Sequence, residues 1–311
     1  MNTYVPSYYN KFKCIADKCS HNCCIGWEIC IDDDALAKYK KLDREANTEI
    51  LKNIEFDGEG AHFSLRDGGR CPNLQDDNLC RLICRHGEDV LCEICREHPR
   101  FRNCFNSFEE FGLGLSCEEA ARIILSYPEK VTFEVHTEEK VINDDREHIL
   151  RDRYEALSHI QNRSLSINER LEKLDEHIPS KLPYSETEYW CDFFLSLERL
   201  DEKWTEVLNE IKSLNVKTLL EAPCYKNELA AEQLLTYFIC RHYRYEDGES
   251  NISEVCSFAR LSCDVIFNAA TVLFKNHDSF FDALCDAARM YSSEIEYSPD
   301  NTAELLFEVS F

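Results

Sequence analysis

The chain has 311 residues, of which 44% are hydrophobic and 30% charged, a composition typical of a globular protein with one large or two ordinary domains. Its 9 glycines and 8 prolines exclude a protein built mainly of disordered linkers or of a β-sandwich. The sequence has no run of eighteen apolar residues, and its opening lacks the apolar segment of a secretory signal. We therefore expect a cytoplasmic protein that does not span a membrane.

The formal net charge of −24 is unevenly distributed. Residues 1–117 hold 15 basic and 20 acidic side chains, whereas residues 118–311 hold 20 and 39. Because such a surface repels nucleic acid and anionic membranes, we expect neither as a partner. The charge suits a basic partner or a lysine-bearing substrate, and it equally suits an acidic surface that keeps the protein in solution.

Residues 1–130 are predicted to form a loop-rich lobe with short elements between its cysteines. Asp32 or Asp33 can cap a helix whose apolar face carries Leu36, Tyr39 and Leu42. The other elements predicted for this lobe are a strand over 61–66, a helix from Leu79 to His86, a helix from Glu88 to Glu97, and a helix through Leu125 that starts at a capping box of Ser116 and Glu119.

Residues 131–311 begin with a short alternating strand and are otherwise predicted to be helical. Apolar residues recur at spacings of three and four, and the longest such stripe, from Trp190 to Leu214, predicts one long helix. Further predicted helices follow a capping box at Ser166 and Glu169, span Leu234 to Ile239 and Ile252 to Phe274, and start at Asp278. The predicted fold class is therefore mainly α, with a cysteine-cluster domain over 1–130 and an acidic helical bundle over 131–311.

Twelve of the eighteen cysteines lie within the first 117 residues: Cys14, Cys19, Cys23, Cys24, Cys30, Cys71, Cys80, Cys84, Cys92, Cys95, Cys104 and Cys117. Thiolates are soft ligands that hold zinc or an iron–sulfur cluster. In a reducing compartment, clustered cysteines are better interpreted as metal or redox groups than as disulfides. The remaining six are interpreted as small buried hydrophobes, since they lack a cysteine partner at ligand spacing: Cys191, Cys224, Cys240, Cys256, Cys263 and Cys285.

Zinc and an iron–sulfur cluster are alternative occupants of the cysteine lobe. Zinc sites often use paired C-x2-C units, and this sequence has one, Cys92 to Cys95. Trp27 can shield a metal site from water. Arg96 and Arg100 flank Cys95 and either offset the negative charge of a cluster or form ordinary surface ion pairs.

A set of motifs occurs in order between residues 9 and 122: Tyr9-x-x-Phe12-x-Cys14, Cys19-x3-Cys23-Cys24-x-Gly26-Trp27, Cys71-Pro72-x-Leu74, Leu79-Cys80-Arg81, Cys95-Arg96-x-x-Pro99-Arg100 and Leu115-Ser116-Cys117-x-Glu119-Ala120-Ala121-Arg122. Together they resemble the flagellin lysine-N-methylase family, within the wider group of cysteine-cluster proteins with a CxxCxxCC-like motif. The chain departs from that pattern at Glu118, which replaces a proline, and at His98, which replaces an aromatic residue. Cys84 and Cys92 are thiols outside the pattern.

The resemblance implies eight metal ligands, namely Cys14, Cys19, Cys23, Cys24, Cys71, Cys80, Cys95 and Cys117. It implies a protein-lysine N-methyltransferase that acts on flagellin with S-adenosylmethionine and an iron–sulfur cluster of the 4Fe–4S type, with zinc as the alternative metal. Eight thiolates serve one cluster with spare ligands or two metal sites. We expect Trp27, Arg96 and Arg100 to contact the cofactor, whereas no residue is assigned as the catalytic base and no pattern indicates an oligomeric state. The alternatives are a non-enzymatic metal-binding or redox-sensing protein whose helices dock a partner, and a protein in which the metal only stabilises the lobe.

Overall fold

The computed structural model describes residues 1–58, 60–138, 145–179, 182, 186–214 and 227–310. Helices predominate over strands in these ranges, so the predicted mainly α class is confirmed. The strands are β1 (Asn2–Pro6), β2 (Cys30–Ile31), β3 (Ile54–Phe56), β4 (Ala61–Phe63), β5 (Arg100–Cys104), β6 (Phe108–Leu113), β7 (Phe133–Thr137), β8 (Tyr245–Glu246) and β9 (Glu249–Ser250). The helices are α1 (Asp33–Lys41), α2 (Arg44–Leu51), α3 (Arg81–His86), α4 (Glu93–Glu97), α5 (Glu118–Leu125), α6 (Arg146–Ile149), α7 (Arg151–Ile160), α8 (Ile167–His177), α9 (Thr187–Ser196), α10 (Glu202–Ser213), α11 (Glu228–His242), α12 (Ile252–Leu273), α13 (Phe280–Ile295) and α14 (Pro299–Glu308).

The chain forms two compact units: Lys13–Phe101, hereafter the cysteine unit, and Met1–Phe12 with Arg102–Phe311, hereafter the helical unit. The sequence-based division into 1–130 and 131–311 stays a prediction about domains, and the compact units are divided differently. The first strand, β1, pairs in parallel with β6 and antiparallel with β7, which places the N-terminal residues in the helical unit. These pairings join residues more than a hundred positions apart, which local sequence patterns do not reveal.

The helical unit combines a four-stranded sheet, in the order β5-β6-β1-β7, with a bundle around α12. Helix α12 packs against α11 and α13, and most of its side chains are buried. Together with the turn that follows it, Ile252–Asn276 is long and apolar enough to cross a membrane by length and composition. However, 89% of its apolar window is buried inside the structure, as in the core helix of a globular unit.

The single helix predicted from Trp190 to Leu214 is wrong, because the structure forms two helices there, α9 and α10. Between them, the backbone N–H groups of Leu200 and Asp201 donate to the buried carboxylate of Glu294, at 2.8 and 2.9 Å. The carboxylate of Asp201 then caps α10. A side chain from α13 thus satisfies backbone groups that would otherwise continue the helix.

Two predicted helix caps are also wrong, although both helices are present. Cys117, rather than Ser116, is the N-cap residue of α5, and it makes no side-chain cap bond. Ser279, rather than Asp278, caps α13 through its hydroxyl. Neighbouring candidates for a cap satisfy the same sequence rule, and the backbone path selects between them.

Five of the six C-terminal cysteines are buried in the helical unit, as predicted: Cys191, Cys240, Cys256, Cys263 and Cys285. Cys224 lies outside the described residues. In the cysteine unit, the apolar core includes Cys71 and Cys92 beside Tyr39, Phe63 and Leu82. A three-stranded antiparallel sheet in the order β2-β4-β3 accompanies that core.

Candidate metal centre

A backbone pairing places Cys24 beside Cys71. The N–H of Cys71 donates to the carbonyl of Cys24 at 2.8 Å, and the N–H of Gly26 donates to the carbonyl of Gly69 at 2.9 Å. Both glycines have positive φ angles, +82° and +68°, which side chains disfavour. A Cβ atom at Gly69 would lie 3.2 Å from the backbone nitrogen of Gly26. Glycine at these positions therefore permits the approach of the two cysteine-bearing segments.

A tight hairpin then connects Cys71 to Cys80. The guanidinium groups of Arg66 and Arg81 both donate to the carbonyl of Pro72, and the bond from Arg81 measures 2.6 Å. These bonds satisfy a carbonyl inside the turn and hold its two ends together. The arginines next to the cysteines therefore act in part as structural clamps.

The third cysteine-bearing segment is held by Asp32, which caps α1 as predicted. Its carboxylate accepts from the N–H of Ala35 at 2.9 Å and from the N–H of Glu93 at 2.7 Å. Partial burial opposes ionisation, but these backbone hydrogen bonds lower the pKa of Asp32. Since Glu93 is the first residue of α4, the bond fixes the helical turn that bears Cys92 and Cys95.

These three segments converge on a thiol cluster, defined here as Cys23, Cys24, Cys71, Cys80, Cys92 and Cys95. The thiol of Cys24 donates a hydrogen bond to Cys23, and this bond lowers the pKa of Cys23 to about 7. The thiol of Cys95 donates in the same way to Cys92 and lowers its pKa. The pKa values of Cys24 and Cys95 are raised, because each thiol donates a hydrogen bond to its partner and is buried.

Backbone N–H groups are directed at two other thiols of the cluster. Burial raises the pKa of Cys71 and of Cys80, while hydrogen bonds from the backbone oppose that effect. One of them joins the N–H of Asn73 to the Sγ atom of Cys71 at 3.5 Å. The N–H groups of Leu82 and Ile83 donate to the sulfur of Cys80. Donors of this kind are the groups that stabilise metal-bound sulfur and tune its redox potential.

Charge on one thiol of the cluster raises the pKa of its neighbours. Thiolate charge on Cys71 or Cys80 raises the pKa of Cys24, and charge on Cys92 raises that of Cys71 and of Cys80. A bound metal ion reverses this repulsion, because thiols deprotonate when they coordinate. A donor set composed of sulfur alone suits zinc or an iron–sulfur cluster.

Another group of possible ligand atoms in the described part of the chain comes from Glu28, Asp57 and His62, whose ligand atoms lie within 4.8 Å of one another. A donor set of thiolates suits zinc as well as an iron–sulfur cluster, so the choice between these two metals stays a prediction.

Three of the predicted ligands are not members of the thiol cluster. Cys14 is exposed, and its Sγ atom accepts from the N–H of Ala16 at 3.4 Å. The thiol of Cys19 donates to the carbonyl of His21 at 2.9 Å. Cys117 belongs to the helical unit, where it precedes α5. Metal binding stays a prediction for these three residues and for the other five predicted ligands.

The three residues predicted to contact the cofactor are all at least partly exposed to solvent. Trp27 and Arg100 are half-buried, and Arg96 is exposed. The Nε atom of Arg96 lies 3.4 Å from a carboxylate oxygen of Glu97, so this arginine takes part in the surface ion pair considered as its alternative role. Cofactor binding by Trp27, Arg96 and Arg100 stays a prediction.

The sequence interpretation left Cys92 out of the ligand set, because the family pattern does not contain it. The structure buries Cys92 within the thiol cluster, one helical turn from Cys95. The sequence signal that points to it is the C-x2-C spacing of these two residues.

Comparisons with known proteins confirm the resemblance indicated by the motifs. Flagellar biosynthetic protein FliU of Salmonella muenchen is 29% identical over 144 residues, which cover 42% of this chain and 85% of that protein. The lysine-N-methylases of Salmonella typhimurium and Salmonella choleraesuis are each 27% identical over 140 residues, 42% of this chain. The match spans 34% of each lysine-N-methylase, about a third of its length. No family model and no solved structure matches the chain.

Proposed function

We propose that this chain is a protein-lysine N-methyltransferase that acts on flagellin, uses S-adenosylmethionine and carries an iron–sulfur cluster in its cysteine unit. The observation that carries the proposal is the convergence of the thiol cluster in a chain similar to proteins named lysine-N-methylase and flagellar biosynthetic protein. The names support the reaction and the flagellar substrate, and the sulfur-only donor set supports the metal.

Five thiols of the family pattern can hold the cluster: Cys23, Cys24, Cys71, Cys80 and Cys95. A bound iron–sulfur cluster supplies an electron-transfer or Lewis-acid centre. The chain contributes backbone N–H groups directed at the sulfurs and an apolar core that excludes water from the buried side of the site. Clamps such as Asp32 orient the cysteine-bearing segments toward the site.

Methyl transfer requires a neutral lysine amine held next to the methyl donor. The acidic surface of residues 118–311, with 39 acidic and 20 basic side chains, suits the approach of a lysine-bearing protein. We place the reaction in the cytoplasm, since the described cysteines are all free thiols and thiols persist in a reducing compartment.

The first test is the metal content of protein purified without oxygen. We expect iron and acid-labile sulfide in the wild-type protein, a loss of both in Cys24→Ser, and wild-type content in Cys240→Ser, whose thiol is buried in the helical unit. Zinc in place of iron and sulfide would overturn the proposed cofactor.

The second test measures the reaction. The reduced, iron-loaded protein is incubated with flagellin and S-adenosylmethionine labelled in its methyl group, and labelled lysines are located by mass spectrometry. We expect label on lysine with the wild-type protein and none with Cys24→Ser. If iron-replete wild-type protein leaves flagellin unlabelled, the methyltransferase proposal for this chain is wrong.

The second candidate function is a metal-binding or redox-sensing protein without enzymatic activity. This candidate is favoured by the limited length of the match to the lysine-N-methylases. About two thirds of each lysine-N-methylase has no counterpart in the alignment. Iron bound without methyl transfer is the outcome that supports this candidate.

A further inference from the structure

Cys92 occupies the buried side of the thiol cluster. Its residue is 1% exposed, and it lies in the same apolar core as Cys71. Its charge acts on Cys71, Cys80 and Cys95. Cys92 therefore has the same thiol neighbours as the patterned residues, although the pattern omits it.

A second feature of this side is the hydroxyl group of Tyr39. The Tyr39 residue is 0% exposed, and its ring lies 6.1 Å from that of Phe63, centroid to centroid. Its hydroxyl is buried and has no hydrogen-bond partner among the described residues. After burial, the largest effects on the pKa of Tyr39 are those of Cys92 and Cys95, and both raise it. Tyr39 also lies in the same buried core as Cys71 and Cys92, and Cys95 packs against that core.

A buried hydroxyl without a partner destabilises a protein, so native structures seldom retain one unless it has a bound partner or a role. The sulfur atoms of a metal centre accept hydrogen bonds, and the thiol cluster is composed of such atoms. A centre held here therefore gives the Tyr39 hydroxyl the acceptor that it lacks.

We infer that Cys92 is a ligand of the metal centre and that the Tyr39 hydroxyl donates a hydrogen bond to one of its sulfur atoms. This inference rests on the proposed metal centre and adds two residues that the family pattern does not contain. Cys92 and Cys95 then form a ligand pair on one turn of α4. Tyr39 acts as a positioning and tuning residue from α1.

The donor has a consequence for the redox potential. A hydrogen bond to cluster sulfur stabilises the reduced, more negative state and so raises the reduction potential. Removal of the Tyr39 hydroxyl shifts the potential to a more negative value, while the number of sulfur ligands stays the same.

The ligand role is tested with Cys92→Ser, and Cys30→Ser is the matched control, because Cys30 is an exposed thiol of the same unit outside the pattern. In protein reconstituted with iron and sulfide, we expect Cys92→Ser to lose at least half of the bound iron or to show an altered electron paramagnetic resonance spectrum. Cys30→Ser keeps wild-type iron and the wild-type spectrum. Wild-type iron and an unchanged spectrum in Cys92→Ser overturn the assignment of Cys92.

The hydroxyl is tested with Tyr39→Phe, which removes one oxygen atom and does not depend on whether Cys92→Ser folds. We expect wild-type iron content and a more negative midpoint potential. The shift in the midpoint potential distinguishes a donor to the metal centre from a merely structural hydroxyl. An unchanged potential overturns the role of Tyr39.

These outcomes are separable from those of the proposed function. Wild-type protein that binds no metal contradicts both the proposed metal centre and the inference. Iron-loaded protein that behaves as expected in both variants but leaves flagellin unmethylated contradicts the enzymatic activity and supports the inference.

Discussion

The two compact units differ in what stabilises them. In the cysteine unit, the described α-helices have five to nine residues, and six thiols form the thiol cluster. In the helical unit, α11, α12 and α13 have 15, 22 and 16 residues, and their buried faces pack together. Helices of one or two turns are not stable alone. We therefore expect a group bound by the thiols to stabilise the cysteine unit, whereas the packing of long helices stabilises the helical unit.

Buried ion pairs add to this difference. In the helical unit, Glu110 receives two hydrogen bonds from Arg153, at 2.6 and 2.7 Å, and Glu232 pairs with Arg170 at 2.7 Å. Glu296 is a third buried carboxylate with basic partners. Such pairs select one packing arrangement, because each charge is tolerated only with its partner in place. The helical unit thus has a core in which buried charges are paired.

The strongest way to test this comparison is to remove the metal. A structural metal site contributes on the order of 10 kcal/mol to folding, so we expect a chelator, added without oxygen, to unfold the cysteine unit. Hydrogen–deuterium exchange read by mass spectrometry should show lost protection in α1 to α4 and unchanged protection in α11 to α13. Cys24→Ala provides the control, since a site without metal should not respond to the chelator. Equal loss of protection in both units would contradict the comparison.

The next largest effect is expected from Glu110→Ala, which leaves Arg153 buried without its partner. Breaking such a pair costs about 3–5 kcal/mol, and urea unfolding of the helical unit measures it. The matched control is the neighbouring Glu109→Ala, because Glu109 lies 3.7 Å from the exposed Arg102 and a surface pair is worth less than about 1 kcal/mol. The iron content should be unchanged in both variants. A loss of iron in Glu110→Ala would show that the metal centre depends on the helical core.

The sequence predicted the features of the fold that local rules control. The cap at Asp32 and the capping box of Ser166 and Glu169 are present, because both depend on residues within one turn. The break between α9 and α10 was not predicted, since it depends on Glu294, some ninety residues away in the chain. The pairing of β1 with β6 was missed for the same reason.

The cysteine pattern predicted part of the candidate site. Cys24, Cys71, Cys80 and Cys95 were selected from the sequence, and the structure brings them together. Tyr39 was interpreted only as part of the apolar face of a helix. Its unpaired hydroxyl follows from the packing of α1 against the thiols, and residue spacing carries no information on that packing.

A smaller effect on the helical unit is expected from acid. Burial lowers the pKa of His242 below its ordinary value of 6.5 even though it donates to Glu296 at 2.8 Å. Burial opposes ionisation of Glu296, but Arg241 and His242 lower its pKa below 4.5. Both folded pKa values are depressed, so their stabilisation is complete above pH 6.5 and is lost as the pH falls.

Urea unfolding between about pH 8 and about pH 5 measures this loss, with a slope of up to about 1.4 kcal/mol per pH unit for one proton. His242→Gln is the control, because it removes the first of the two titrating groups and should flatten the slope below pH 6.5. The same slope in wild type and variant would assign the acid sensitivity to other groups.

The smallest expected effect comes from Cys240→Ala, and its value lies in a direct comparison with Cys24→Ala. Cys240 is buried on α11, where burial raises the pKa of its thiol to about 12, so it packs as a neutral side chain. Truncation should remove one sulfur atom of packing and lower the free energy of unfolding by about 1 kcal/mol. The same substitution at Cys24 removes a thiol whose neighbours are Cys23, Cys71 and Cys80, and it should release the metal. Metal content and urea unfolding of the two variants therefore test whether a cysteine in this chain stabilises its unit by packing or by binding, and equal effects at the two positions would remove that distinction.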